Sequence, residues 1–166
     1  MRALALPLAI AIVALAFLTS PARADDPLTG PMNQFNVLLG APWACSSNFP
    51  AMFDEPAHTE RSTTIFDVVA NNVLHSHSAS DQYSADSYFG YFPQASIYWV
   101  TRSDSKGVSG SLSSSDGRSY TGKMSIGPMS MTAASAFTKV GSNSYTSRNV
   151  LTVEGQQFTI DGTCTR

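Results

Sequence analysis

The sequence predicts an all-β domain that closes into an antiparallel up-and-down β-barrel of about ten strands. Three observations lead to this prediction. Short segments rich in Thr, Tyr, Phe and Val are separated at close intervals by turn residues. No long stretch has the apolar period of an amphipathic helix. Finally, one cysteine lies on the first of these segments and the other lies on the last, which a closed sheet would make neighbours.

Residues 1–24 are predicted to form a secretory signal peptide. Arg2 supplies a positive start, an uncharged and mostly apolar run extends from Ala3 to Leu18, and Ala22-Arg23-Ala24 gives a small-x-small cleavage pattern. A membrane-spanning helix needs about 20 apolar residues, and this run is shorter and contains Pro7. We therefore expect a secreted or periplasmic protein with no membrane span after removal of the signal.

The chain after the signal has the size of one domain. It would contain 142 residues, of which 8 are basic and 12 are acidic. No basic stripe is present that could neutralise phosphates, so nucleic acid is not an expected partner. The sequence does not indicate the oligomeric state.

Residues 25–42 are predicted to be a polar leader with a short helix. The helix is expected over Asn33–Leu39, because Phe35, Leu38 and Leu39 recur at helical spacing. Gly40 and Pro42 should end it. The barrel domain is then expected to occupy residues 43–166.

The remaining chain divides into ten candidate strands joined by tight turns. The predicted ranges are 43–47, 59–70, 73–79, 83–91, 96–102, 107–114, 118–126, 129–138, 144–153 and 156–164. Consecutive strands with short connections form an antiparallel meander. Closing such a sheet removes both of its exposed edges, so a barrel is favoured over an open sheet.

Side-chain alternation predicts which residues face the interior. Phe66 and Val68 share one face of their strand, and Phe158 and Ile160 share one face of the last strand. Aromatic, Met, Ser and Thr side chains on the inward faces suit a lumen with some space in it, and a filled core is equally compatible. The candidate ligand-binding wall residues are Phe66, Phe89, Tyr91, Trp99, Met129, Met131 and Phe137.

The two cysteines are predicted to form a disulfide between the first strand and the last. An exported protein meets an oxidising compartment. Strand parity agrees, because Cys45 shares a face with Trp43, and Cys164 shares a face with Phe158 and Ile160. The alternative is a pair of separate buried thiols.

The two ends of the chain resemble those of a known group of proteins. The segment from Phe35 to Cys45 reads as a short helix, then Leu-Leu-Gly, then a strand opened by Trp43, and the chain closes on Cys164-Thr-Arg166. This arrangement resembles small exported bacterial lipocalin-like proteins, which belong with the calycins and nitrobindin-type barrels. The resemblance implies that Trp43 lies across the closed barrel end. Arg166 has the parity to lie over the Trp43 ring, and the alternative is an exposed terminal Arg.

His75 and His77 are the candidate metal ligands. Histidines two apart on a strand point to the same face, as a metal site requires, and Val73 and Ala79 on that face favour the interior. A third ligand could come from His58, Asp81 or Asp86. The alternative is two histidines on a wet strand face. The late His that holds haem in nitrobindin-type barrels has no counterpart, because the last His is His77, and no cofactor is predicted.

These observations predict a binding protein that holds a small apolar or amphipathic molecule in a barrel lumen. Two alternatives remain open. One is a non-catalytic interaction module that uses an outer Ser/Thr-rich face. The other is a metal-dependent enzyme built around His75 and His77, which is less favoured because no motif joins these residues to a catalytic group.

Overall fold

A computed structural model describes residues 27–52, 54–69 and 72–166; the predicted signal peptide lies outside them. This part of the chain forms a 3₁₀ helix at Gly30–Leu38 followed by strands. The strands are β1 (Trp43–Phe49), β2 (His58–Val69), β3 (Val73–Ala79), β4 (Ser84–Phe92), β5 (Ile97–Asp104), β6 (Val108–Ser114), β7 (Ser119–Ile126), β8 (Met129–Val140), β9 (Ser144–Val153) and β10 (Gln156–Thr165). None of the described helical segments is long and apolar enough to cross a membrane.

The sheet is a closed antiparallel barrel in which every strand pairs with its sequence neighbours. The ring is completed by β1, which pairs with β10 on one side and with β2 on the other. Cys45 and Cys164 are directly opposite one another in the β1–β10 register, and their sulfurs are bonded at 2.00 Å. The predicted barrel and the predicted disulfide are both confirmed. The disulfide therefore links the two strands whose pairing closes the ring.

The N-terminal helix begins three residues before the predicted start, and it is a 3₁₀ helix. Met32, Phe35 and Leu38 are its buried residues, and they recur every third position. A 3₁₀ helix has three residues per turn, so this spacing puts all three side chains on one face. Phe35 reaches the ring of Phe89 at a centroid distance of 6.4 Å, so the helix covers one end of the barrel interior.

Trp43 and Arg166 complete the covered end. The Trp43 side chain is fully buried, and its indole N–H donates a hydrogen bond of 2.8 Å to the carbonyl oxygen of Leu38. The guanidinium carbon of Arg166 lies 4.4 Å from the centre of the Trp43 ring. Arg166 also donates hydrogen bonds to the carbonyl oxygens of Val37 and Leu39. The last residue of the chain thus fastens the helix to the barrel.

Candidate ligand-binding cavity

The barrel is hollow on the side away from the helix. Its cavity has a volume of about 700 Å³, and inward-facing residues from all ten strands line it. The floor is aromatic, because Phe66, Phe89, Phe137 and Tyr145 lie between the cavity and the helix-covered end. The upper rim is formed by Phe49, at the end of β1, and by residues of the connecting turns. The cavity therefore opens at the end opposite Trp43.

Five of the seven predicted wall residues lie on the cavity wall. They are Phe66, Phe89, Met129, Met131 and Phe137. Tyr91 and Trp99 are not on the wall of this cavity. Tyr91 has inward parity, but it lies at the helix-covered end, where its ring packs 4.8 Å from that of Tyr98. Trp99 faces outward, because its neighbour Val100 faces the cavity, and its ring lies over Gly90.

Hydroxyl side chains line one side of the cavity. They come from β1 to β4, and they are Ser47, Ser62, Thr64, Ser76, Ser78 and Ser87. The Thr64 and Ser78 hydroxyls bond to each other at 2.9 Å. Ser76 and Ser87 are opposite each other in the β3–β4 register, and both are buried from outside solvent. Buried hydroxyls need hydrogen-bond partners, so this side of the cavity presents polar groups to whatever fills it.

Apolar side chains line the facing side. The strands β6 to β8 contribute Val108, Leu112, Met124, Ile126, Met129, Met131 and Ala133. In a ring of ten strands, β7 and β8 stand opposite β2 and β3. Polar residues also line the cavity on β8 and β9: Ser135 and Asn149 bond to each other at 2.6 Å, and Ser147 lies beside them on β9. The cavity therefore has a hydroxyl wall and an apolar wall across from it.

Charged groups gather near the open end. Arg102 lies on the wall, with its guanidinium 3.8 Å from the carboxylate of Asp104, and its side chain is 34% exposed. The Asp104 carboxylate already accepts hydrogen bonds from the backbone N–H groups of Lys106 and Val108. Arg102 is therefore only loosely paired and is available to an anionic group at the mouth. Glu60, across the mouth, accepts a hydrogen bond from Ser80.

Two tyrosines in the cavity wall remain neutral phenols. Burial raises the pKa of Tyr145 and of Tyr120 well above the ordinary value. The Tyr145 hydroxyl lies 3.6 Å from the sulfur of Cys45. The Tyr120 hydroxyl is buried with no hydrogen-bond partner among the described residues. An unpaired buried hydroxyl is costly, so the floor also retains an unused polar group.

His75 and His77 lie on the outer surface, so the expectation that they face the interior is wrong. The inward positions of β3 are Leu74, Ser76 and Ser78, which places both histidines outside. The two His75 nitrogens lie 2.7 and 3.0 Å from Asp67 and Asp86, and His77 Nδ1 lies 2.9 Å from Asp86. Hydrogen bonds from His77, and then from His75, lower the pKa of Asp86.

This outer cluster is a hydrogen-bonded network on the sheet surface. The His75 ring also stacks on Tyr88 with a centroid distance of 4.7 Å. Among the described residues, no group of three or more His, Cys, Asp or Glu side chains is arranged to hold a metal ion. Of the other two suggested third ligands, His58 lies at the cavity mouth, where it stacks on Phe49, and Asp81 is exposed in the turn between β3 and β4.

The hydroxyl wall and Arg102 are not among the site residues predicted from the sequence. Strand parity could have found both. Ser62 and Thr64 precede Phe66 at alternate positions, and Arg102 follows Val100 by two. On β2, once Phe66 is taken as inward, Ser62 and Thr64 are inward too; on β5, Arg102 is inward only when Val100 rather than Trp99 is taken as inward. The prediction places Ser and Thr side chains on the inward faces in general, but it names only apolar and aromatic residues as wall residues.

Comparisons with known proteins add little to this description. No protein-family model matches the chain, and no curated protein matches it. Among solved structures, it is similar to a DUF3598-family protein of unknown function from Nostoc punctiforme PCC 73102, with 13% identity and a TM-score of 0.47 over 86% of this chain. It is also similar to the ywiB protein from Bacillus subtilis, with 12% identity and a TM-score of 0.39, covering 75% of this chain and 90% of that one. The chain spans 51% of the length of the Nostoc protein.

Proposed function

We propose that the protein is an exported binding protein that holds one small amphipathic molecule in the barrel lumen. The observation that carries this proposal is the cavity of about 700 Å³, which has an aromatic floor and a charged mouth. Cavities for small ligands are typically about 300–1,000 Å³, mostly apolar, with a few polar groups that fix orientation. The resemblance of the chain ends to exported lipocalin-like proteins and the Cys45–Cys164 disulfide support the same proposal.

The arrangement of the cavity favours one orientation of such a ligand. Its apolar part would contact Phe66, Phe89 and Phe137 on the floor, where burial of hydrocarbon is favourable. A polar or anionic group would remain at the mouth beside Arg102. A ligand bound in this way keeps its charge in contact with solvent and avoids the cost of burying it.

A titration with a dansyl-labelled fatty acid tests the proposal. We expect saturable enhancement and a blue shift of the dansyl emission, because the probe would move from water into an apolar cavity. Ala133→Trp should abolish the enhancement, since Ala133 lies on the cavity wall and is buried. Thr132→Trp is the matched control, because it adds the same ring to the exposed side of the same strand.

Two results would count against this function. One is equal probe binding by both Trp variants, which would place the probe on the outer surface. The other is the absence of saturable binding by the unmodified protein, together with no small molecule in repeated solvent extracts analysed by mass spectrometry. Far-UV and near-UV circular dichroism of the Ala133→Trp variant show whether the barrel is intact before its titration is interpreted.

A further inference from the structure

We propose that the natural ligand is a rigid amphiphile with two unlike long faces, one carrying hydroxyl groups and the other bare hydrocarbon. Hydroxylated fused-ring steroid acids have this chemistry. The proposal rests on the lumen-binding function above and narrows it. A linear amphiphile separates its polar and apolar parts along its length, whereas this cavity separates them across its width.

The polar side is carried by three hydroxyls on adjacent strands. Ser62 on β2, Ser76 on β3 and Ser87 on β4 all line the cavity. Ser76 and Ser87 are only 7% and 6% exposed. Within the described residues, none of the three hydroxyls is hydrogen-bonded to another protein group. They are therefore free to bond to a molecule in the cavity.

The apolar side is carried by flexible side chains that stand across the lumen. Met124 on β7 is opposite β2 in the ring, and Met131 on β8 is opposite β3. Leu112, on β6, extends the same surface. Methionine side chains adapt to irregular shapes, so this wall can follow a ring system of uneven thickness.

The unpaired hydroxyls discriminate between the two kinds of ligand. An alkyl chain that displaces water from Ser76 and Ser87 leaves their hydroxyls without partners, which is unfavourable. A ring system with hydroxyls on one face replaces those hydrogen bonds and still buries its opposite face against Met124 and Met131. The loose pairing of Arg102 at the mouth suits the acid group of either ligand.

Calorimetric titration of the whole chain after signal removal, with cholate and with dodecanoate, tests the inference. Both probes are carboxylates, but only cholate carries hydroxyls on one face of a ring system. Replacement of Ser62, Ser76 and Ser87 together by Ala should weaken cholate binding about tenfold or more, since each neutral hydrogen bond contributes about 1 kcal/mol, or roughly fivefold. Dodecanoate binding should change less than about twofold.

The matched control replaces Ser111, Ser113 and Ser130 by Ala, because these serines are exposed on the outer faces of β6 and β8. It should leave both affinities unchanged. If the triple inner variant unfolds, Ser87→Ala alone should weaken cholate about threefold to fivefold. Binding of dodecanoate without cholate, or equal weakening of both, would overturn this inference and leave the lumen-binding function standing. Failure of both probes to bind the unmodified protein would overturn the two together.

Discussion

Removal of the disulfide is the perturbation whose effect follows most directly from the topology. Cys45 and Cys164 are 119 positions apart, so the bond encloses nearly the whole barrel. In the chain-entropy model, a closed loop of about 120 residues restricts the unfolded chain by about 16 cal/mol/K, or about 5 kcal/mol at room temperature. This is a large fraction of the roughly 5–15 kcal/mol that stabilises a typical domain.

The variant Cys45→Ala/Cys164→Ala should therefore lose about 3–5 kcal/mol of unfolding free energy in urea denaturation. Alanine is the appropriate replacement, because both cysteines are buried and serine would add unpaired hydroxyls. The urea dependence of the unfolding free energy should also become steeper, because the unfolded chain without the bridge exposes more surface.

The neighbouring pair in the same register provides the control. Ser46 and Thr163 are opposite each other on β1 and β10, one position from the disulfide, and they face outward. Their double replacement by Ala should change the unfolding free energy by less than about 0.5–1 kcal/mol. A loss below about 1 kcal/mol in the double Cys variant would refute the reasoning, since it would show that the bond does not constrain the unfolded chain.

Three further predictions concern the closed end, the pairing of β6 with β7, and a turn. Arg166→Ala should lower the free energy of unfolding by about 1–2 kcal/mol, because it removes the contact over Trp43 and the hydrogen bonds to Val37 and Leu39. An unchanged midpoint in thermal or urea unfolding would contradict this role. Gly122→Ala should lower the free energy of unfolding by more than about 2 kcal/mol, because an added Cβ would overlap the carbonyl oxygen of Ser111 on the adjacent strand. A variant as stable as the unmodified protein in urea unfolding would contradict this prediction. Asp116 accepts backbone hydrogen bonds from Ser119 and Arg118, which lower its pKa from 3.8 to about 2. Its folded pKa lies below its unfolded pKa, so its stabilisation is complete above about pH 4 and is lost as the pH falls through 2. Asp116→Asn should therefore have a lower free energy of unfolding than the unmodified protein at pH 6. In urea unfolding at pH 2, this difference in free energy should be smaller. The same difference at both pH values would contradict the prediction.

The strands and the closure of the barrel could be predicted from the sequence, because the strands depend on local turn signals and the closure is indicated by one pair of cysteines far apart in the chain. Turn residues such as Asp116-Gly117 and Glu154-Gly155 mark the strand ends, and each predicted strand lies within two residues of its observed bounds. The disulfide followed from parity and from the position of the two cysteines at opposite ends of the chain. These features need no knowledge of how side chains fill the interior.

The cavity was harder to predict because its lining depends on depth as well as on parity. Tyr91 and Phe89 have the same parity, but Tyr91 is level with the covering helix while Phe89 is level with the cavity floor. Trp99 was misplaced because a large aromatic residue was assumed to be inward, whereas it covers Gly90 from outside. His75 and His77 were placed on the wrong side of the sheet for a related reason. The apolar residues on their face, Val73 and Ala79, are too small to indicate whether that face is inward.

The central claim, that a molecule binds inside the barrel, is tested most directly by NMR of methyl-labelled methionines during titration with dodecanoate below its micelle concentration. Met124, Met129 and Met131 line the cavity, whereas Met32 is a buried residue of the covering helix and does not line the cavity. We predict saturable shifts of the first three methyl signals and little change in the signal of Met32. Unchanged signals from Met124 and Met131 at concentrations where the probe is bound would contradict the claim.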